Sequence, residues 1–224
     1  MGIPSWVWFL IAVVALAVGV ALLLVDRRSG GAAEPVARDR KRWAAVHDWE
    51  YHETDPVLPS RWRYGTVQKG GPGIAKNLAT GIVPTPEGGR VGYLFDHEQQ
   101  GRTNAVVVAV ELREPLPAAV ELRLPSAPLP DSDGGAGLDL LEPVGERYSF
   151  VSDADAIRPL LTQKVADAAD AVGDDIELIW AEEAWTLAAA PVGTTPERAQ
   201  DLLADLAQVA TALERALEAS RHPA

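Results

Sequence analysis

The run WVWFLIAVVALAVGVALLLV, Trp6 to Val25, carries no charge and is followed at once by Asp26, Arg27 and Arg28. Twenty helical residues rise about 30 Å, the thickness of a bilayer's hydrocarbon core. The run is apolar on every face, whereas a helix packed on a soluble domain keeps one side polar. Trp6 and Trp8 cluster at one end, where aromatic side chains meet the membrane interface. Residues 1–25 are therefore expected to form a single transmembrane anchor. The competing reading is a cleaved signal peptide of a secreted or extracytoplasmic protein. No Lys or Arg precedes the run as a signal peptide requires, although Gly30 to Ala33 offer a small-residue cleavage region.

Charge asymmetry sets the expected direction. Arg27, Arg28, Arg38, Arg40, Lys41 and Arg42 all follow the run, and only the α-amine precedes it. Cytoplasmic flanks hold the excess of Lys and Arg, so the C-terminal domain is expected in the cytoplasm, on the inner side of the cell membrane. Residues 26–42 are polar, contain Gly and Ala and lack apolar periodicity, and read as a basic juxtamembrane linker.

Residues 43–224 suit one domain of ordinary size. The whole chain has a formal charge of −12; residues 1–42 hold six basic and three acidic side chains, which leaves −15 on the remainder. Such a surface repels nucleic-acid phosphates, so nucleic acid is not an expected partner. There is no cysteine, which excludes disulfides, thiolate metal sites and a thiol nucleophile.

From Trp43 to about residue 151 the pattern is one of strands and turns. RVGYLFD (90–96) and the β-branched TNAVVVAVELR (103–113) flank the polar DHEQQGR loop and predict a hairpin. LATGIVPT precedes it across the PEGGR turn, and AAVELRL (118–124) and ERYSFV (146–151) follow. These links are too short for parallel crossovers, so the sheet is expected to be antiparallel. PSAPLPDSDGGAG (125–137) reads as a loop.

Then the period changes. Ser152 with Asp155 three residues on resembles a helix-start box, followed by an Ala-rich helix that Pro159 breaks or restarts. DDIELIWAEEAWTLAAAP (174–191) predicts a strand pair turning at Ala181 to Ala184. Thr195 caps a last helix with Pro196 at its first position, and Leu202, Leu206, Val209, Leu213 and Leu217 form its apolar stripe. The stripe is expected to cover the sheet; a coiled-coil dimer is the alternative use of it.

The densest polar cluster, HDWEYHETD (47–55), holds His47, Asp48, Glu50, His52, Glu53 and Asp55. As a strand it sets His47, Trp49 and Tyr51 on one face and Asp48, Glu50 and His52 on the other, so its histidines point apart. A spacing of five also fails the HExxH pattern on a helix. A metal would need a distant ligand such as His97, which lies with Asp96 and Glu98 in the expected loop. His222 sits in the tail, and no serine occupies G-x-S-x-G. KGGPGIAKN (69–77) lacks both G-x-G-x-x-G and GK[ST], and DSDGG (131–135) lacks the later ligands of a calcium loop. Glu182 and Glu183 read as an exposed pair in a turn, with no desolvation to separate an acid from a base. No catalytic, cofactor-binding or metal-binding residue is assigned, and no cofactor is expected.

The layout resembles a group of actinobacterial single-pass membrane proteins of uncharacterised function. The resemblance rests on the N-terminal span, Trp49 to Tyr51, Asp55-Pro56 with Arg61-Trp62, the run Val106 to Pro117, and the IELIW and WTLAA pair. It implies no catalytic residues.

The expected fold is α+β: an N-terminal transmembrane helix, then an antiparallel sheet of six or seven strands covered by the C-terminal helix. The expected function is that of a non-enzymatic accessory or interaction protein at the membrane, whose partners are the lipid bilayer and another protein. The alternative is a tethered domain that binds a small molecule or lipid in a hollow between sheet and helix, lined by Trp49, Trp62, Trp180 or Trp185. An enzyme ranks third, because it would require His47 or His52 to meet His97 and a carboxylate in space.

Overall fold

The computed structural model describes residues 35–67, 71–130 and 137–222. The expected anchor at residues 1–25 lies outside them, and among the described residues no helix is long and apolar enough to cross a membrane. The chain divides into two units, Met1–Asp39 and Arg40–Ala224. Of the first unit, residues 35–39 are described and are helical.

The second unit opens with helical residues 40–46, here α1. A linker was the expectation for residues up to 42, and the difference has a specific cause. Arg40 is fully buried, and its Nη1 lies 2.7 Å from the Asp96 carboxylate, which also accepts from Asn77 Nδ2 at 2.7 Å. A buried guanidinium with a carboxylate partner can be enclosed, whereas an isolated one cannot. Trp43 and Ala44 then join the core.

Among the described residues nine strands form one sheet: β1 (Glu50–Asp55), β2 (Ile74–Val83), β3 (Arg90–Gln99), β4 (Arg102–Glu111), β5 (Val120–Arg123), β6 (Asp139–Leu140), β7 (Tyr148–Val151), β8 (Leu178–Glu182) and β9 (Trp185–Ala190). Their order is β1-β2-β3-β4-β9-β8-β5-β7-β6, and every pairing is antiparallel. The expected hairpin 90–113 forms with a shorter turn than the DHEQQGR loop suggested. Strand pairing runs through His97 to Gln99, and Gln100 (φ 51°) and Gly101 (φ 76°) close it. Two positive φ values match the twist of a two-residue hairpin. The β8–β9 hairpin inserts between β4 and β5, so residues distant in sequence complete the centre of the sheet.

Alternation along the strands gives the sheet two buried faces. Val106, Val108, Val110, Leu94, Val120, Leu122 and Ile179 face the helices. Val107, Ala109, Phe95, Leu178, Trp180 and Leu187 face the other way. Across β2 and β3 the pair Gly81 and Gly92 leaves a slot for the Trp49 indole, since a Cβ at either position would meet its ring.

Three helices cover the first face: α2 (Ala154–Ile157), α3 (Gln163–Ala171) and α4 (Pro196–Arg221). Asp153, not Ser152, caps α2, its carboxylate accepting from the N–H groups of Asp155 and Ala156; the Ser152 hydroxyl instead accepts from Ala119 N–H of the neighbouring segment. Pro159 lies in a 3-10 turn, Arg158–Leu160, that separates α2 from α3. The Thr195 hydroxyl accepts from Arg198 N–H, and Pro196 opens α4 as expected. The whole Leu202 to Leu217 stripe is buried against the sheet, which leaves none of it for a coiled coil. Arg90 on β3 is buried beneath α4 and donates to both oxygens of Glu214, at 2.6 and 2.7 Å.

Candidate functional site

The histidines do not converge. His47 lies in the turn after α1, its ring stacked on Trp43 at 4.6 Å and its Nδ1 2.8 Å from the Trp43 carbonyl. Asp48 follows at φ 60°, so the strand begins only at Glu50, with Trp49 and Tyr51 packed on the helix-side core. His52 is exposed on β1, 3.2 Å from Glu50. His97 is fully enclosed in β3, with Nε2 2.9 Å from the Pro72 carbonyl. Burial holds its pKa below the usual imidazole value, which keeps the ring neutral and makes Nε2–H the donor. Among the described residues, no three His, Asp or Glu side chains form a group that could hold a metal ion.

The tryptophans divide between the two faces, so they do not line one hollow between sheet and helix. Trp49 packs on the helix side, while Trp62, Trp180 and Trp185 lie on the opposite face. Trp62 stacks on Phe95, 6.0 Å between centroids, and meets Trp185 and Tyr93 edge-on at 5.9 and 6.4 Å. Trp62 belongs to a strap, residues 58–67, built from two 3-10 turns, Leu58–Arg61 and Gly65–Val67.

Two buried carboxylates tie this strap to the sheet. Glu182 on β8, expected to be exposed, is 3% exposed; its carboxylate accepts from Arg63 N–H at 2.9 Å and from Tyr64 N–H at 3.1 Å. Desolvation raises its pKa above the usual carboxylate range, against the lowering effect of those two N–H groups. Glu183 alone keeps the expected position in the turn, at φ 50°. Glu121 on β5 is fully buried and accepts from Gly65 N–H at 2.7 Å. Its second oxygen pairs with Arg123, 2.8 Å to Nε and 2.7 Å to Nη2, and Arg123 Nη1 donates to the Pro128 carbonyl at 2.5 Å. Gly65 (φ 69°) rests directly on Trp180, where a Cβ would sit 2.5 Å from the indole. Only glycine fits both that dihedral and that approach.

This polar chain runs along one wall of a cleft of about 680 Å³ on the strap side of the sheet. Leu178, Ala189 and Ala105 form its floor, and Gly65 and Thr66 one wall. The 127–130 segment forms another wall, and Gln99, Asn104, Asp174 and Glu177 the rim. The small side chains of Ala105 and Ala189 leave space above the floor. Asn104 Nδ2 donates to Gln99 Oε1 at 2.8 Å, and Gln99 Nε2 donates to the Gly71 carbonyl, which orients both amides. A second hollow, of about 660 Å³, lies between α3, α4 and the 84–87 turn; Ala168, Ala171, Ala204 and Ala207 line it. Neither cleft was assigned from sequence. Alternation in VELR did carry a signal for the first: Glu121 and Arg123 share one strand face, spaced to pair.

Comparison with known proteins gives a consistent result. The family model described as trehalose monomycolate transport factor TtfA matches residues 3–220. The chain is 31% identical over 196 residues to trehalose monomycolate transport factor A of Mycolicibacterium smegmatis, an alignment covering 86% of this chain. The chain spans 64% of that relative's length. The crystal structure of the mycobacterial trehalose monomycolate transport factor A superposes with a TM-score of 0.69 at 28% identity, covering 80% of this chain and 94% of that one.

Proposed function

This chain belongs to the trehalose monomycolate transport factor TtfA family, and from that premise we propose that it is a non-enzymatic accessory factor in trehalose monomycolate transport. In this reading residues 1–25 anchor it in the cell membrane, residues 26–42 join the anchor to the domain, and the domain of residues 43–224 works at the cytoplasmic surface. The observation that carries the reading is the family match itself, which runs from residue 3 to residue 220 and so takes in the apolar run as well as the domain.

Physical reasons support an accessory role over a catalytic one. The buried carboxylates spend their lone pairs on backbone N–H groups and on Arg123, so they are structural ties rather than proton donors or acceptors for a substrate. His97 is enclosed and hydrogen-bonded, and His47 and His52 stand apart from it. The acidic domain disfavours nucleic acid and anionic headgroups alike, which leaves a protein partner and the bilayer that holds the anchor.

Deleting the gene in its own host, then pulse-labelling the glycolipids, tests the role. Trehalose monomycolate is expected to accumulate on the inner side and to fall in the outer envelope, and the full chain to restore its distribution. A chain lacking residues 1–25 is expected not to restore it. An unchanged lipid distribution in the deletion strain overturns the transport role. A C-terminal fusion to a reporter active only outside the cytoplasm tests the orientation, and strong activity there overturns it.

A further inference from the structure

We propose that the strap-side cleft holds the neutral sugar head of a glycolipid, with Glu177, Asp174 and Asn104 as the hydrogen-bonding rim. The proposal rests on the transport reading above and adds a site and a ligand chemistry to it.

The cleft's free charged groups are acceptors. The side-chain carboxylates of Glu177 and Asp174 make no hydrogen bond or ion pair among the described residues, and both residues are exposed at the rim. Asn104 donates one amide hydrogen to Gln99 and keeps its carbonyl and its second N–H. The cation beside them is already spent: Arg123 is held by Glu121 and by the Pro128 carbonyl. A rim of free carboxylates around a neutralised arginine repels phosphate, sulfate and carboxylate ligands. It suits a ligand dense in hydroxyl groups, each of which brings a donor to an acceptor-only carboxylate.

Size and floor agree with that class. About 680 Å³ falls within the ~300–1,000 Å³ of small-molecule sites, room for a disaccharide and not for a long branched acyl chain. The floor of Ala105, Leu178 and Ala189 is smooth and apolar, suited to the C–H faces of a sugar ring. Leu129 stands 69% exposed on the 127–130 wall, where the first carbons of an ester-linked chain leaving the cleft would cover it. The ties that shape the wall, Glu121 to Gly65 and Arg123 to Pro128, are set before any ligand arrives, which lowers the cost of ordering the site on binding.

The test uses the full chain in nanodiscs of zwitterionic lipid, titrated calorimetrically with trehalose and, separately, with its 6-octanoyl monoester. Saturable binding of both is expected, tighter for the monoester. Glu177→Gln and Asp174→Asn should each weaken both probes about tenfold or more, since each removes a charge-assisted acceptor. Leu129→Asp should weaken the monoester and leave trehalose unchanged. All three positions are exposed, so the variants are expected to keep the wild-type circular dichroism and melting transition. Absence of saturable binding, or binding that the two rim variants leave unchanged, overturns the proposal. A chain that restores lipid transport in its host yet binds neither probe removes this site and leaves the transport role standing.

Discussion

The two faces of the sheet are buried by different means. On the helix side, α2 to α4 lay aliphatic side chains onto Val106, Val108, Val110 and Ile179, and the buried polar groups there include Arg90 with Glu214, Arg40 with Asp96, and Arg147 on the carbonyls of Ala169, Gly173 and Ile176. On the strap side a short irregular segment covers an aromatic cluster, and it stays in place through carboxylates buried beneath it. Helices satisfy most of their own backbone groups, so apolar contact covers most of the first face, with Arg147 taking carbonyls at and after the end of α3. An irregular strap leaves N–H groups free, and the second face has to supply acceptors for them. The strap therefore carries the network of buried carboxylates that accept from its backbone, and one of the two clefts opens beside it.

The comparison breaks most visibly if the two cores are emptied in turn. Trp180→Ala should cost about 3–5 kcal/mol and Leu206→Ala about 2–5 kcal/mol, since both side chains are fully enclosed. Their hydrogen-exchange patterns should differ. Trp180→Ala removes the surface on which Gly65 rests, so the amides of residues 63–65 should lose protection ahead of the sheet, while Leu206→Ala should lower the whole domain together. Equal loss of strap and sheet protection in Trp180→Ala would show that the strap is no more separable than the helices.

A smaller effect isolates the polar ties. Glu121→Ala leaves the enclosed Arg123 guanidinium without its carboxylate and Gly65 N–H without an acceptor, a loss of about 3 kcal/mol. Adding Arg123→Met should recover most of it, because the dominant cost is an uncompensated buried charge. If the double variant is no better than the single one, the Gly65 tie outweighs the ion pair. Denaturant midpoints of the two variants decide the matter.

The same contrast explains what the sequence disclosed. The 90–113 hairpin, the 178–190 strand pair and the capped α4 were legible because each depends on residues near one another: alternation, a short turn, a Thr-Pro start. The placement of β8 and β9 between β4 and β5 was not, since sequence order does not reveal which edges meet. Residues 40–42 of α1 were read as linker because what holds Arg40 in place is Asp96, 56 residues away. The candidate site was hidden for a similar reason. Glu121 and Arg123 alternate with Val120 and Leu122 as solvent-facing charges do, and only the returning strap turns that face into an interior. Glu182 and Glu183 are identical neighbours in sequence, yet one points under the strap and the other occupies the turn.

Those neighbours offer the finest comparison, and a carboxylate on the helix side sharpens it. Burial raises the Glu182 pKa in the folded state, so between the ordinary glutamate value and that raised value the native chain binds more protons than the unfolded one. Stability from this site should therefore decline as pH rises through that window. Glu214 behaves oppositely. Burial would raise its pKa too, but the Arg90 side chain and Arg113 N–H outweigh it and hold it low, so its contribution is present above the ordinary value and is lost as pH falls through the lowered one. Unfolding free energies of the wild type and of Glu182→Gln, measured across acidic to neutral pH, should diverge in favour of the variant as pH rises just above the ordinary glutamate range. Glu183→Gln should stay within about 0.5 kcal/mol of the wild type throughout, as a turn residue away from the core does. A Glu182→Gln curve parallel to the wild type would mean that the Arg63 and Tyr64 N–H groups repay the full cost of enclosing the charge. The strap would then be a tie indifferent to pH, unlike the Arg90–Glu214 pair on the helix side.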